Sequence, residues 1–325
     1  MSSLLQKFLL GLGATTLLYN LALLLRFVRL HSRPSSLPRY LSQSPATWAL
    51  VTGASDGIGA GFAHELLVSG FNVILHGRNP TKLATLRDQL AAQYPSREID
   101  TVVGDGTKVA EAIENVENFI KEKGYVITIL INNLGGVVGL GPTHFPIVGE
   151  MDGDHLDRIL DLNARFMMQM CRAVMPLMGK SSKGDASTNP LPSLIINIGS
   201  VLGVAALPFL TAYAGCKALT LTWSRALAAE QKQLGRDVEV LGIIVGNVQS
   251  AMNTSDVTFW TPSSRQMARA ALNKIGCGQK VVVGYWPHAV QMLPVMTMPE
   301  WLKDRILGKT MKDSYEEEQK KLKAQ

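Results

Sequence analysis

In the stretch "LTAYAGCKALTL", residues 210–221, Tyr213 and Lys217 stand four positions apart in a run that reads as helix. At that spacing both side chains share one helical face. A phenol with a pKa of about 10 is a poor proton shuttle at neutral pH. An ammonium one turn away favours the ionised phenol by Coulomb attraction, which turns the pair into an acid–base device if the site is partly dry. Many helices also carry Tyr and Lys at this spacing by chance. The weight of the pair rests on what the rest of the chain supplies.

The elements that would position it begin at Trp48. Seven strand-like apolar runs, "WALVTG", "FNVILHG", "IDTVVG", "VITILINN", "SLIINIGS", "VEVLGIIVG" and "KVVVG", alternate with amphipathic stretches such as "PTKLATLRDQLAAQY" and "KVAEAIENVENFIKEKG". Such alternation predicts an α/β domain over 48–284, a doubly wound parallel sheet of seven strands with helices on both faces. The first strand runs directly into "TGASDGIG", Thr52 to Gly59, and a helix follows. Gly53 permits the tight turn, Gly57 lets backbone approach a pyrophosphate, and Gly59 lets the helix pack closely, with Ser55, Asp56 and Ile58 completing the loop. This is the Rossmann-type context for a dinucleotide. The second strand ends "LHGRN", with Gly77 where an acid would hold a ribose 2′-hydroxyl, and Arg78 and Asn79 next. A guanidinium there binds a 2′-phosphate, so the expected cofactor is NADP(H).

Taken together, these residues resemble the short-chain dehydrogenase/reductase family over about Trp48 to Gly284. The family's glycine motif matches Thr52, Gly53, Gly57 and Gly59, and its NNxG motif matches "NNLG", Asn132 to Gly135. The resemblance implies cofactor contacts at Asn133, Gly135 and Asp105, the last facing adenine. Tyr213 and Lys217 match the YxxxK pair, Ser200 stands 13 residues before Tyr213 as the family's catalytic Ser does, and Asn163 in "DLNARF" matches its catalytic Asn. The implied roles are proton transfer by Tyr213, a hold on the carbonyl oxygen by Ser200, a bond from Lys217 to the nicotinamide ribose, and a water anchored by Asn163. One departure stands out. Where the family has PGxVxT the chain has "VGNVQSAM", residues 245–252, with Val245 in place of Pro. Gly246, Val248 and Ser250 remain as cofactor contacts, while the stiffness of the loop is in question.

The termini are a different material. Phe8 to Leu25 is an 18-residue run without a charge, flanked by Lys7 and Arg26. At helical rise it spans about 27 Å, enough for a thin bilayer. A cleaved signal peptide is the competing reading, but Arg26, Arg29 and Arg33 follow where a small-x-small site would stand. Residues 1–30 therefore read as a single-pass anchor whose downstream arginines keep the domain in the cytosol. The Pro/Ser-rich residues 31–47 read as a linker. "KLKAQ" at the end has the lysine spacing of KxKxx retrieval signals, which points to the endoplasmic reticulum membrane.

Lys plus Arg exceed Asp plus Glu by 32 to 26, a net +6, but the excess gathers at the two ends and forms no nucleic-acid stripe. Membrane surface is the partner it suggests. Three cysteines without a CxxC pattern read as reduced thiols. His64, His76, His144, His155 and His288 lack metal-ligand spacing and read as structural or surface residues, so no metal is expected. A polar insertion at 179–193 reads as a surface loop. The apolar run 285–302, within a C-terminal segment and basic tail at 285–325, leaves three readings open: core, substrate wall, or a patch dipping into the membrane.

Within the family, the anchor, "NNLG", "TPSSRQMARAALNKIG" and the basic tail resemble the very-long-chain 3-oxoacyl-CoA reductase branch, which includes the 17β-hydroxysteroid dehydrogenases of types 3 and 12. The resemblance implies NADPH-dependent reduction of a 3-oxoacyl-CoA in fatty-acid elongation, beside the other enzymes of that cycle. Alternatives are a reductase of a steroid, retinoid or other lipid-like ketone, and a non-catalytic NADP-binding scaffold. Retention of Tyr213, Lys217 and Ser200 argues against the scaffold. The helix of the YxxxK pair often builds dimers in this family, which makes a homodimer a further expected partner.

Overall fold

Alternate residues of each apolar run find separate helix layers to pack on. In a computed structural model the described residues are 2–42, 46–137, 143, 145–180, 190–250 and 253–323. His144, residues 181–189 of the polar insertion, Ala251 and Met252, and the last two residues of the lysine-rich ending lie outside them. The chain runs α1 (Ser2–Ser32), β1 (Thr47–Thr52), α2 (Gly57–Val68), β2 (Asn72–Gly77), α3 (Pro80–Gln93), β3 (Ile99–Val103), α4 (Val109–Lys123) and β4 (Val126–Asn132). It continues through α5 (Gly153–Leu160), α6 (Phe166–Val174), β5 (Ser193–Ile198), α7 (Leu202–Ala205) and α8 (Thr211–Gln233). After β6 (Val238–Ile244) come α9 (Ser264–Leu272), β7 (Val281–Val283), α10 (Trp286–Thr297), α11 (Glu300–Lys303) and α12 (Lys309–Lys323).

The strands form one parallel sheet in the order β3-β2-β1-β4-β5-β6-β7. This is the doubly wound Rossmann-type arrangement, whose order reverses between β1 and β4. Ala49 and Val51 join a core with Phe62 and Leu66 of α2 and Met267 of α9. Trp48 and Leu50 face the other layer, with Ile113 of α4 and Phe166 of α6. Successive strand residues point to opposite faces, so both faces are dry and the strand residues read as continuous apolar runs.

A buried polar chain fixes α8 to the sheet. Asn132 Nδ2 donates to Asn197 Oδ1 at 2.8 Å, Asn197 Nδ2 donates to Ser224 Oγ at 3.0 Å, and that hydroxyl donates to the Thr220 carbonyl at 2.7 Å. The links lie out of water, where breaking one leaves a buried polar group without a partner, which makes the register of α8 against β4 and β5 costly to shift.

The Pro/Ser-rich stretch departs from its expected linker role. Leu37 and Tyr40 are buried in the core, Tyr40 Oη donates to Glu239 Oε2 at 2.6 Å, and Thr128 Oγ1 donates to the Tyr40 carbonyl at 2.8 Å. Two apolar residues in a short proline-bearing turn sufficed to dock it. Helix α1 is long and apolar enough to cross a membrane, with none of its most apolar window buried against the domain. The basic tail is helical, and α12 folds back so that Tyr315 stacks on Phe209 at 4.9 Å and Thr143 Oγ1 donates to Glu318.

Candidate active site

Every candidate side chain sits at the carboxyl ends of the strands. Gly53 and Gly57 both have φ in the left-handed region, +63° and +54°, which permits the turn between β1 and α2. Gly59 is a matter of space: a Cβ there would lie 2.2 Å from the Gly53 carbonyl oxygen. Asn133 closes the turn from β4, its Nδ2 donating to the carbonyls of Thr52 (3.1 Å) and Gly53 (3.2 Å). Thr52 Oγ1 in return accepts the backbone N–H groups of Asn133 and Leu134. Asp56 caps α2, accepting from the Gly57 N–H, and Ile58 packs against the core.

At the end of β2, Arg78 is exposed and makes no ion pair among the described residues, and Gly77 lies against Ser55. Asn79 spends its side-chain oxygen on the Lys82 N–H, capping α3, so its first role is structural. Asp105, after β3, accepts from both the backbone and hydroxyl of Thr107. Behind it His76 is wholly buried without a hydrogen bond to either ring nitrogen, and burial pushes it down to about 4, with Asp105 opposing.

Lys217 is buried, and its Nζ donates to the Ile198 carbonyl at 2.9 Å, at the end of β5. The same ammonium lies 5.6 Å from the centre of the Tyr213 ring. Asn163 lies in a π-turn, Asp161–Arg165, that joins α5 to α6. Such wide turns arise where a helix must bulge, frequently at functional sites. Its Oδ1 accepts the Gly136 N–H at 2.7 Å, and its Nδ2 donates to the carbonyls of Gly136 and Ile159. Gly135 is wedged between them: a Cβ would stand 2.9 Å from Asn163 Oδ1 and 3.1 Å from Lys217 Nζ. Ser200 is buried beside Tyr213, its Oγ accepting the Leu202 N–H at 3.2 Å.

The electrostatics correct one expectation. Burial pushes the Tyr213 phenol up to about 12 against an opposing hydrogen bond from Ser200, so the lowering expected from Lys217 does not prevail. Burial also pulls Lys217 down to about 8. In a dry site the penalty on each charged form exceeds the attraction between them.

After β6, Ser250 reaches the glycine turn, where a Cβ on Gly57 would lie 3.3 Å from its own Cβ. Val245 and Val248 are buried in the core. Beside Gly246 and Asn247 opens a cavity of about 390 Å³, lined mainly by apolar residues including Val201, Leu202, Met292 and Val295, with Lys303 at one side. The apolar run 285–302 thus divides its roles: Met292 and Val295 line the cavity, while Leu293, Met296 and Trp301 are exposed. His288 was missed as a site neighbour. It is wholly buried and bonded to Gly246 and Asn247, a contact across 42 positions that no local pattern announces.

This arrangement can bind a dinucleotide along the strand ends and move a proton at its nicotinamide end. The glycine cradle, exposed Arg78, and the meeting of Gly135, Asn163 and Lys217 suit such a cofactor. The family model for short chain dehydrogenases matches residues 47–259. A very-long-chain 3-oxoacyl-CoA reductase of Neurospora crassa is 34% identical over 251 residues, covering 75% of this chain and 70% of its own. Hydroxysteroid dehydrogenase-like protein 1 of Gallus gallus is 30% identical over 279 residues, 85% of this chain and 79% of that one. A solved short-chain dehydrogenase from Sphingobium yanoikuyae, in complex with NADPH, superposes with a TM-score of 0.58 at 25% identity, over 73% of this chain and 86% of that one.

Proposed function

The chain belongs to the short-chain dehydrogenase/reductase family, and on that premise we propose that it is a membrane-anchored, NADPH-dependent reductase of a 3-oxoacyl-CoA. The observation that carries this reading is the meeting of Ser200, Tyr213 and Lys217, with a mainly apolar cavity lined from Val201 and Leu202, the residues directly after Ser200. Arg78, exposed at the end of β2 and following Gly77 where an acid would hold a 2′-hydroxyl, favours the 2′-phosphate of NADP(H).

The bound nicotinamide would supply hydride to the carbonyl carbon. Ser200 Oγ holds the carbonyl oxygen, and Tyr213 donates its proton to it. A phenol pushed up to about 12 keeps that proton at neutral pH, which is the form reduction needs. Lys217, cationic below about 8, then stabilises the phenolate left behind. Asn163 positions the Gly135–Gly136 turn against Lys217 and, as the family resemblance implies, anchors the water that returns the proton. Residues Gly53, Ser55, Gly57, Asp105, Asn133, Gly246 and Ser250 bind and orient the dinucleotide.

A lipid-like substrate fits the cavity wall of Met292 and Val295, and the exposed side of α10 suits entry from a bilayer. The apolar α1 and the arginines at its end favour an endoplasmic-reticulum location with the domain in the cytosol, where elongation-cycle enzymes would be its neighbours. A steroid or other lipid ketone is the second reading, favoured by the similarity to a hydroxysteroid dehydrogenase-like protein. NADPH oxidation by the detergent-solubilised chain, offered long and short 3-oxoacyl-CoAs beside steroid and retinoid ketones, tests the assignment. Turnover of the long acyl-CoA is expected, and turnover of a ketone alone moves the substrate to the second reading.

A further inference from the structure

We propose that His288 is a positioning residue for the cofactor, clamping the loop after β6 from the first turn of α10. The inference rests on the NADPH reading above. Gly246 follows the strand with no side chain to restrict it, and Val245 leaves its own φ unfixed. Left to itself, Val245–Gly246–Asn247 has freedom to lose each time a dinucleotide binds. Something must hold it, because Ser250, at the far end of the same loop, faces Gly57 across the cradle.

His288 supplies two bonds to consecutive residues. The Gly246 N–H points at its Nδ1, 3.1 Å away, and its Nε2 lies 3.0 Å from the Asn247 carbonyl oxygen. A backbone N–H needs an acceptor and a carbonyl needs a donor, so only the neutral tautomer with the proton on Nε2 satisfies both. Burial holds the ring below its ordinary pKa, which maintains that form. The fit is also steric. A Cβ on Gly246 would lie 2.9–3.1 Å from three atoms of the imidazole, so the ring occupies the space a side chain at 246 would need. Tyr285 packs against the same ring, edge-on at 5.2 Å between ring centres.

The same helix carries Met292 and Val295 into the cavity wall. The clamp therefore joins the cofactor loop and the substrate wall into one unit. Its loss frees the loop before binding and shows first as weaker dinucleotide affinity and a raised KM for NADPH, with kcat less affected.

The test is titration of the detergent-solubilised full chain with NADPH, read by nicotinamide fluorescence, with Tm recorded in parallel. His288→Phe fills the ring's volume without donor or acceptor. His288→Asn returns an acceptor to the Gly246 N–H through its Oδ1. Loss of both bonds is expected to weaken NADPH binding about tenfold in the Phe variant, and the Asn variant should recover most of it. Equal binding by His288→Phe and the unaltered chain overturns the clamp, as does an equal loss in both variants that tracks a fall in Tm. If the Phe variant does not accumulate, His288→Ala, which also lacks donor and acceptor, takes its place: a loss that the Asn variant recovers supports the clamp, and binding equal to that of the unaltered chain overturns it. An unaltered chain that binds no NADPH would bring down the reductase reading and this inference together.

Discussion

At the scale of residues, burial keeps charges scarce in the candidate site. Tyr213 retains its proton and Lys217 holds its own loosely, both because they lie out of water. Tyr213→Phe removes the proposed donor while leaving the glycine cradle of the strand ends in place. Reduction should fall by about 10²–10⁴-fold with NADPH affinity little changed, and a variant that keeps full turnover would show that the proton comes from elsewhere. The pH dependence follows from Lys217. Its cation is present below about 8 and lost above it, whereas Tyr213 stays protonated to about 12. Accordingly kcat/KM for reduction should decline on the alkaline side with an apparent pKa near 8, and a profile flat to pH 10 would remove Lys217 from the step. That Tyr213, Lys217 and Ser200 come together was legible in the sequence, because two share a helix and the family resemblance sets the third at a given interval from them. Their shifted pKa values were not, since burial depends on what the fold lays over them.

At the scale of elements, the site depends on how α2 and α9 are held together, because α2 begins at the glycine turn and α9 follows the loop containing Ser250. Glu65 of α2 is nearly inaccessible, yet its carboxylate receives Arg265 Nε at 2.6 Å and Arg269 Nε at 2.8 Å. Burial pushes its carboxyl up, but the two guanidinium groups outweigh this and hold it below the ordinary range. The stabilisation is present above the usual carboxylate pKa and is lost as pH falls through the lowered folded value. Arg265→Gln with Arg269→Gln should cost on the order of 1–3 kcal/mol at neutral pH, measured by urea unfolding, with the gap to the unaltered chain closing in acid. Matching midpoints at pH 7 would contradict it. The pairing was invisible in the sequence, since a Glu and an Arg 200 positions apart carry no mutual signal. Strands were easy to find, because both faces of the sheet are dry and apolar runs are long. Helix α10 was harder: Pro287 falls in its first turn, where a missing N–H is harmless, and Pro294 lies inside it.

At the scale of the whole molecule, the question is where the apolar N-terminal helix stops and the folded domain begins. Composition placed that boundary at Trp48, because prolines and serines dominate the preceding stretch. Packing places it earlier. Arg33 Nη1 donates to the Ile275 carbonyl at 3.0 Å, Ser35 Oγ to the Leu272 carbonyl at 2.6 Å, and the Ser36 N–H to Ile275 again. Leu37 and Tyr40 then enter the core beneath α9 and β6. Two truncations separate the alternatives. Removing residues 1–32 takes away the apolar helix and leaves these contacts intact, so the product should fold, bind NADPH and lose its association with vesicles. Removing residues 1–41 also strips out Leu37 and Tyr40, and each such loss from a core costs about 2–5 kcal/mol. Against a total stability of about 5–15 kcal/mol, that chain should unfold or fail to accumulate. Equal Tm values for the two products would mean that the stretch is a linker after all. Continued vesicle binding by the shorter truncation would instead assign membrane contact to the exposed apolar residues of α10 and α11, where Leu293, Met296 and Trp301 meet solvent.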